Sequence, residues 1–291
     1  MKKLFLAALA TMMLAGCGKE GYDWGSKTDF DNEGYGQATL AISEGNSVMV
    51  KSDPETVTID DETDLANYTI KATNNNPQAT TQTIEAWHNK TFGSITDANK
   101  TVTIAAGTYK VSAESCTAEA AEADRGKPRF YGETNVTVVA GAQNAATASV
   151  NCTLANAKVT VGYAASMNTY FTDYNVDITC SHTVTGNTRS AINFAKTSSH
   201  YIGDAVNTET DAFFTIPATG TQTISVTVKA KKQGATEFTT YTAQNIDLAA
   251  KNWYKITVGT TITDQGKTAL TLNVNGTITV MDQPVNVNPY N

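Results

Sequence analysis

Apolar and polar residues alternate along most of this chain, most clearly at residues 101–113, which read TVTIAAGTYKVSA. Val102 and Ile104 alternate with threonines before an Ala-Ala-Gly turn, and Tyr109 and Val111 alternate with polar residues after it. A period of two places one face of a strand in a core and the other in water. We therefore predict a hairpin of two antiparallel strands at this position.

The same pattern occurs three more times and predicts three further hairpins. They begin at Val136 (VTVVAGAQNAATASV), Phe214 (FTIPATGTQTISVTV) and Ile246 (IDLAAKNWYKITV). The composition is rich in threonine, which favours strands with a hydroxylated, solvent-facing side. We predict an all-β protein, and its length suits two domains better than one.

The two halves of the chain have similar contents. Residues 67–73 (NYTIKAT) match residues 174–180 (YNVDITC), and the predicted hairpins follow at similar distances in each half. This spacing favours one sandwich that has been duplicated, with an accidental likeness between two all-β halves as the alternative. The prediction is two antiparallel β-sandwiches in tandem, at residues 34–155 and 156–291.

Three stretches predict other local structure. Residues 81–87 predict a strand that ends at Trp87. Residues 117–129, rich in alanine and glutamate, predict either a short helix or a loop across one end of the first sandwich. Residues 166–174 (SMNTYFTDY) predict one helical turn whose aromatic side chains pack onto a core.

Residues 1–17 read MKKLFLAALATMMLAGC, with two lysines followed by an apolar stretch too short for a permanent membrane span. The run from Leu14 to Cys17 resembles the lipobox of bacterial lipoprotein signal peptides. That resemblance implies cleavage after Gly16, a diacylglyceryl group on the Cys17 sulfur and a palmitate-type acyl chain on the new N-terminus. An ordinary secretory peptide that contains a cysteine is the alternative. Residues 17–33 are then predicted to be a lipidated tether.

The charge balance is acidic and excludes some partners. Removal of residues 1–16 takes away two of 21 basic residues against 28 acidic ones, so the net charge moves from -7 to -9. No basic patch is present, which argues against nucleic-acid binding. Residues 29–34 (DFDNEG) imitate the start of a calcium loop. Leu40 stands where a bidentate glutamate belongs, so we prefer an acidic linker.

The remaining cysteines are Cys116, Cys152 and Cys180, an odd number for an exported protein. Cys116 and Cys152 lie near strand ends in the same half, so a disulfide between them is possible, and small buried thiols are the alternative. No cysteine or histidine spacing indicates a metal site.

No motif indicates catalysis, so we predict no enzyme and no cofactor. The three histidines, at 88, 182 and 200, stand apart from one another, and no nucleophile elbow or phosphate loop is present. Trp87 is either a partly buried residue or an exposed platform for sugars. Trp253, which opens an apolar strand, is predicted to lie in the core, and Trp24 falls in the tether.

Seven segments of the chain together carry a family resemblance: the lipobox, NYTIKA, AGTYKVSAES, VNCTLANAKVTV, YFTDYNVDI, WYKITVG and TLNVNGTITV. They resemble the fimbrillin-like surface lipoproteins of Bacteroidales, and more closely a sub-family catalogued as a domain of unknown function. The resemblance implies two Greek-key sandwiches, lipid anchoring at the surface of the cell outer membrane, and a role as pilus subunit, pilus anchor or adhesin.

The same resemblance implies assembly by strand exchange. In fimbrillins a protease removes the first strand after an arginine, and a strand from another subunit fills the groove. By position, the strand at risk is 36–43 and the donor is 276–287. No arginine precedes Arg125, so this chain is predicted to keep its first strand and its lipid, which suits an anchor or accessory subunit. The alternative function is a surface lipoprotein that binds glycans, and the surface ligand is unknown.

Overall fold

A computed structural model describes residues 34–281, except 46, 51–55, 59–62, 80, 187, 199–200, 203–204, 207–210 and 265–266. The described residues form strands joined by turns and a few short helices, so the all-β class is confirmed. The strands of the N-terminal half are β1 (Tyr35–Gly45), β2 (Ser47–Val50), β3 (Thr56–Thr58), β4 (Thr69–Asn74), β5 (Lys90–Thr91), β6 (Thr101–Ala105), β7 (Gly107–Glu114), β8 (Phe130–Val138) and β9 (Ala146–Leu154). Its helices are α1 (Asp97–Lys100) and α2 (Ala118–Ala121), with 3-10 turns at Leu65–Asn67 and Phe92–Ser94.

The C-terminal half contributes the remaining elements. Its strands are β10 (Asn156–Tyr163), β11 (Phe171–Cys180), β12 (Ile192–Ala195), β13 (Tyr201–Ile202), β14 (Ala205–Val206), β15 (Ala212–Thr215), β16 (Gln222–Lys232), β17 (Thr239–Leu248), β18 (Asn252–Ile262), β19 (Thr268–Val274) and β20 (Thr277–Val280). Helix α3 (Met167–Tyr170) precedes β11, and a 3-10 turn lies at Lys196–Ser198.

The first sandwich is one curled sheet with the strand order β5-β4-β7-β8-β9-β1-β6. Strands β8 and β9 pair through Phe130–Leu154 and Tyr131–Thr153, and there the sheet folds over onto itself. Alternate apolar side chains of both halves then meet in one core, as the period of two requires. The core includes Leu40, Ile70, Trp87, Tyr109, Val111, Phe130, Val136, Val150 and Leu154.

The second sandwich has two facing sheets. One has the order β14-β13-β10-β18-β19-β20, with β15 also paired to β10, and the other has the order β12-β11-β16-β17. The core between them includes Val159, Tyr163, Phe171, Tyr174, Val176, Phe194, Phe214, Val226, Tyr254, Ile256 and Leu270. Strand β2 pairs in parallel with the start of β18, so a segment from the N-terminal half extends the second sandwich.

The two sandwiches repeat one pairing scheme. Strand β1 pairs in parallel with β9 and antiparallel with β6. Strand β10 likewise pairs in parallel with β18 and antiparallel with β15. The antiparallel set β5-β4-β7-β8 corresponds to β12-β11-β16-β17. This repetition supports the duplication inferred from sequence. It also shows that the sheets are mixed rather than wholly antiparallel.

None of the four predicted hairpins forms, because in each of them the two predicted arms pair with other strands. Strand β6 pairs with β1, whereas β7 pairs with β4 and β8, so the chain at 101–113 crosses between two halves of the sheet. The arms β15 and β16, and likewise β17 and β18, lie in different sheets. In the segment that begins at Val136, the first arm pairs with β7 and the second with β1. Strands β8 and β9 pair only at Phe130–Tyr131 and Thr153–Leu154, outside the predicted arms.

Other local predictions have mixed outcomes. The helical turn within 166–174 is confirmed as α3, and residues 117–129 form α2 followed by a loop. The predicted strand 81–87 is wrong, because that segment is mostly turns with a single bridge between Thr73 and Thr83.

The strand registers place the sandwiches end to end. Tyr35, Gly107 and Val138 lie at one end of the first sandwich, which we call the N-terminal pole, where Tyr35 pairs with Ala105 and Gly107 with Val138. The opposite end of that sandwich meets the second sandwich at a junction. The far end of the second sandwich, the distal pole, carries α3 and the β16–β17 and β18–β19 turns.

Candidate functional site

Strand β1 carries the first described residues, and it lies in the interior of the first sheet. Residues 38–45 pair in parallel with β9, and residues 35–39 pair antiparallel with β6. Ala38 and Leu40 project into the core and are buried. An added strand binds in this way, through main-chain hydrogen bonds and alternate side chains in pockets. Removal of β1 would therefore open a groove with two unpaired edges.

The start of β1 fits closely under the β8–β9 turn. A Cβ atom at Gly36 would lie 2.3 Å from the Val139 carbonyl oxygen and 2.9 Å from Val138 Cγ1. Glycine is the residue that permits so close an approach. The Tyr35 carbonyl also accepts a hydrogen bond from the Gly141 amide at 2.9 Å. A strand that replaced β1 would need a glycine at the same register.

The end of β1 is held by a partly buried cluster of two hydroxyls and a carboxylate. The Tyr68 hydroxyl donates to Glu44 Oε2, and the Thr63 hydroxyl donates to the same oxygen at 2.9 Å. Burial, followed by the bond to Glu44, raises the pKa of Tyr68. Tyr68 therefore stays protonated and remains a donor to Glu44.

Strand β20 is an edge strand of the second sandwich within the described part of the chain. It pairs with β19, from Val274–Thr277 to Thr271–Val280. A two-residue Asn-Gly turn joins the two strands, with φ of 49° at Asn275 and 89° at Gly276. Such a turn suits a tight hairpin. The strand starts at the junction and runs towards the distal pole, with Ile278 65% exposed.

At the junction, the loop after α2 contacts the second sandwich through arginines. Arg125 Nη1 donates to the Asn193 carbonyl at 2.8 Å, and its guanidinium lies 4.3 Å from the ring centroid of Phe194. Arg189, from the other side, donates to the carbonyls of Asp124 at 2.6 Å and Phe213 at 3.1 Å. The bonds from Arg125 to Asn193 and from Arg189 to Asp124 cross between the sandwiches in opposite directions.

A buried ion pair adds to this junction. Lys158 Nζ lies 2.6 Å from Asp211 Oδ2, and each side chain is 8% exposed. Burial lowers the pKa of Arg125, and the charge of Asp211 opposes that shift. A cavity of about 490 Å³ opens beside the arginines, with lining that includes Glu122 and Asp124. The third arginine, Arg129, pairs with Glu114 at 2.7 Å.

A family model described as a domain of unknown function, DUF4493, matches residues 36–289. The chain belongs to the DUF4493 family. This match confirms the expectation from the sequence that the chain belongs to a sub-family catalogued as a domain of unknown function. No curated protein matches the chain.

Three solved structures are similar to this DUF4493 chain at low identity. A candidate adhesin from Bacteroides ovatus has a TM-score of 0.42 and 8% identity, over 84% of this chain and 95% of that one. A fimbrial assembly protein from Parabacteroides distasonis has a TM-score of 0.38 and 11% identity, over 84% of this chain and 98% of that one. The fimbrial anchor protein Mfa2 from Porphyromonas gingivalis has a TM-score of 0.39 and 12% identity, over 84% of this chain and 99% of that one.

Several predicted site residues of the DUF4493 chain lie outside the described residues. These are Gly16 and Cys17, the predicted cleavage and lipidation sites, together with Trp24, His200 and residues 29–33 of the acidic linker. Both Gly16 and Cys17 therefore remain predictions. In the described part of the chain, no helix is long and apolar enough to span a membrane.

The predicted disulfide is not formed in this structure. Cys116, Cys152 and Cys180 are all free thiols. Cys152 is buried, with its sulfur 3.5 Å from the Ala113 carbonyl oxygen, whereas the sulfur of Cys116 faces the Pro128 carbonyl at 3.9 Å. Burial raises the pKa of Cys152 to about 12. The alternative of small buried thiols describes Cys152 correctly.

The aromatic predictions need correction. Trp87 is fully buried and donates through Nε1 to the Asn99 carbonyl at 2.8 Å, so it is not an exposed platform. Trp253 is half-buried at the junction, where it packs against the core of the first sandwich rather than its own. Its Nε1 donates to Thr160 Oγ1 at 3.1 Å.

Sequence reasoning missed the junction. The chain has three arginines, and all three lie there, although their spacing matches no motif. The available signal was that two of them fall in the 117–129 connector. Among the described residues, no group of three or more metal-binding side chains is present. His88 is used internally, because its Nδ1 accepts from the Ala72 amide at 3.1 Å.

Proposed function

We propose that this protein is an outer-membrane surface lipoprotein with a structural, adhesive role, as a fimbrial anchor or accessory subunit that keeps its first strand. In this proposal residues 1–16 are removed, Cys17 carries the lipid and residues 17–33 form a tether. The sandwiches at 34–155 and 156–291 stand outside the membrane. The proposal includes association with other fimbrial subunits by strand addition.

One observation carries the proposal: β1 is an integral interior strand that begins at the pole where the tether joins the fold. It pairs on both sides, and its ends are secured at Gly36 and Glu44. A chain held to a membrane from this end would transmit tension into the sheet through these pairs. This suits a permanent anchor better than a strand to be discarded.

The positions of the arginines agree with a retained strand. None precedes Arg125 in the chain, so cleavage after arginine cannot separate β1 alone from the rest. Arg125 and Arg189 are engaged across the junction, and Arg129 pairs with Glu114. A protease specific for arginine would therefore need to open the junction before it reached a site.

The other end of the molecule offers an edge for assembly. Strand β20 runs towards the distal pole, away from the predicted lipid, and has one unpaired edge among the described strands. Unpaired N–H and C=O groups at such an edge accept a further strand. A subunit anchored through its N-terminus would thus present β20 to a neighbour.

Two measurements on cells test the proposal. The mass of the protein extracted from membranes is expected to correspond to residues 17–291 plus acyl chains, and immunogold labelling is expected at the bases of surface fibres. A Cys17→Ala variant should be lost from the membrane fraction. Fibre-free cells with scattered monomers, or a mature chain that begins after β1, would contradict the anchor role.

The glycan-binding alternative loses its main support. It depended on an exposed aromatic platform at Trp87, which is fully buried. The exposed aromatic residues in the described part, Tyr35 and Phe238, lie at opposite poles and form no common platform.

A further inference from the structure

We propose that the N-terminal pole of the first sandwich rests against the headgroup surface of a phospholipid bilayer. This inference rests on the proposed lipid anchor at Cys17, since the anchor brings the pole close to the membrane. It adds a second, non-covalent contact that sets the orientation of the sandwiches.

The turns and strand ends that form the pole carry no charged residue, and the charged residues directly next to them in the chain are Glu33, Glu85 and Lys110. The uncharged segments are residues 34–39 (GYGQAT), 74–79 (NNNPQA), 81–84 (TQTI), 104–109 (IAAGTY) and 136–148 (VTVVAGAQNAATA). Charged residues make up 17% of the chain, and none falls in these stretches. The registers bring the segments together, because Tyr35 pairs with Ala105, Asn74 with Tyr109 and Gly107 with Val138.

Two large apolar side chains project from this uncharged tip. Tyr35 is 48% exposed and Val139 is 60% exposed. They are neighbours, since the Val139 carbonyl packs against Gly36 and the Tyr35 carbonyl accepts from the Gly141 amide. Tyrosine is favoured where an apolar body meets a wet, polar layer, as at a membrane interface.

The distal pole provides the contrast. It also exposes large apolar residues, Phe238 at 41% and Ile262 at 66%. Its turns are charged, however, with Glu237 between β16 and β17 and with Asp264 and Lys267 between β18 and β19. An uncharged tip loses less hydration when it approaches headgroups, because transfer of charged groups from water is the costly step.

Charge and chain length both favour the N-terminal pole. Without residues 1–16 the net charge is -9, and anionic lipids repel most of the surface. The tip itself adds nothing to this repulsion, in contrast to the acidic residues 29–33 that precede it in the chain. Only the 16 residues 18–33 separate Cys17 from the tip, so an anchored Cys17 keeps the tip at high effective concentration beside the bilayer.

The contact can be tested without native acylation. Residues 17–291 with Cys17→Ser and an N-terminal histidine tag would be held on vesicles of phosphatidylcholine, phosphatidylglycerol and a nickel-chelating lipid. Val139→Trp places a reporter at the N-terminal pole, and Phe238→Trp places one at the distal pole. Brominated phosphatidylcholine then quenches tryptophan near the bilayer, with the parent protein as background.

The expected result is about twofold stronger quenching for Val139→Trp than for Phe238→Trp, as for a residue within roughly 5–10 Å of the headgroup boundary. Added charge at the tip, Gln143→Glu with Asn144→Asp, should abolish this excess, whereas Thr236→Glu at the distal pole should leave it unchanged. Equal quenching of the two reporters, or an excess that survives the tip charges, would overturn the docking. Whether Cys17 is acylated is decided separately by the mass of the native protein.

Discussion

Strands β1 and β10 occupy equivalent positions in the two sandwiches, yet their surroundings differ. Each lies between a parallel and an antiparallel neighbour. All eight residues of β10 are buried, whereas the burial of β1 alternates along its length. The outer face of β10 is covered at the junction, where Thr160 accepts from Trp253 Nε1 and Lys158 lies 4.9 Å from the Trp253 ring.

This difference separates two kinds of interior strand. A strand with one wet face needs apolar residues only at alternate positions, so many sequences satisfy its environment. A strand that is covered on both faces also needs hydrogen-bond partners for its buried polar side chains, so fewer sequences satisfy its environment. Strand β10 is therefore expected to tolerate fewer substitutions than β1.

The largest effect is expected from a charge placed on the outer face of β10. Thr160 is fully buried, so Thr160→Lys leaves an unpaired buried cation. The free energy of unfolding should fall by about 3–5 kcal/mol, the range for an uncompensated buried charge. Chemical denaturation monitored by circular dichroism would measure it.

The matched control is Thr39→Lys on β1. Thr39 is on the solvent side, where its hydroxyl meets that of Thr101 at 3.0 Å. This change should alter stability by about 0.5 kcal/mol or less, as for an ordinary surface site. Equal losses for the two variants would remove the distinction between the strands.

The hairpin predictions failed for a related reason. Alternation specifies which face of a strand is buried, but it does not specify the strand that pairs with it. An Ala-Ala-Gly or Ala-Ala-Lys turn can join two alternating segments either as a hairpin within one sheet or as a connection between facing layers. In both arrangements the apolar residues point inward. The alternation at 101–113 therefore predicts the buried face of each arm, but it does not predict which strand pairs with that arm.

The junction was hidden from the sequence for a different reason. Trp253 and Phe213 lie on strands whose alternation predicts the core, but they pack against the first sandwich. The partner surface comes from residues more than eighty positions away, such as Arg125. Only the three-dimensional arrangement brings these groups together. By contrast, the Asn-Gly pair at 275–276 is a local signal of a hairpin turn, because both residues adopt positive φ in this structure.

The parallel partners of β1 and β10 are β9 and β18, and the two sandwiches differ in what satisfies the other edge of these strands. In the second sandwich the side chain of Asn275 bonds to backbone groups at the edge of β18. Its Oδ1 accepts from the Lys255 amide at 2.5 Å, and its Nδ2 donates to the Trp253 carbonyl at 3.1 Å. Asn275→Gly keeps the positive φ but loses both bonds. We expect a loss of about 2–4 kcal/mol for two unsatisfied backbone groups.

Thermal and chemical unfolding of Asn275→Gly would be compared with those of Thr277→Ala, an exposed position in the next strand. The control should stay within about 0.5 kcal/mol of the parent. A cost for Asn275→Gly no larger than that of the control would show that the side chain of Asn275 does not close this edge.

In the first sandwich, close contact between β8 and β9 closes the corresponding edge. A Cβ atom at Gly132 would lie 2.4 Å from the Asn151 carbonyl oxygen, a backbone atom that cannot move alone. Gly132→Ala should cost about 1–3 kcal/mol through forced separation of the strands. For comparison, Gly259→Ala on β18 would place its Cβ 3.3 Å from Ala164 Cβ and from Thr271 Oγ1, both of them side-chain atoms. It should cost less, and the reverse order would contradict this account of the two edges.

The smallest effects concern acidic side chains on the outer faces. In the first sandwich, the hydrogen bond from Lys110, 2.8 Å away, lowers the pKa of Glu133 below its ordinary value of 4.5. In the second, burial would raise the pKa of Asp177, but hydrogen bonds from Lys229 and Asn193 outweigh it and lower the pKa below 3.8. A lowered carboxyl pKa contributes stability at pH values above the unfolded-state pKa, and that stability is lost as the pH falls through the folded-state value.

Substitution of each lysine separates the two environments. The Glu133 side chain is 45% exposed and that of Asp177 is 20% exposed. Solvent therefore screens the first pair more, and Lys110→Ala should cost about 0.3 kcal/mol or less at neutral pH, against about 0.5–1 kcal/mol for Lys229→Ala. In carboxyl-carbon NMR titrations the pKa of Asp177 should rise further than that of Glu133, because burial opposes ionisation once Lys229 is gone. Equal shifts in the pKa values of Glu133 and Asp177 would contradict the expectation that the outer face of the second sandwich shields its carboxylate more from solvent.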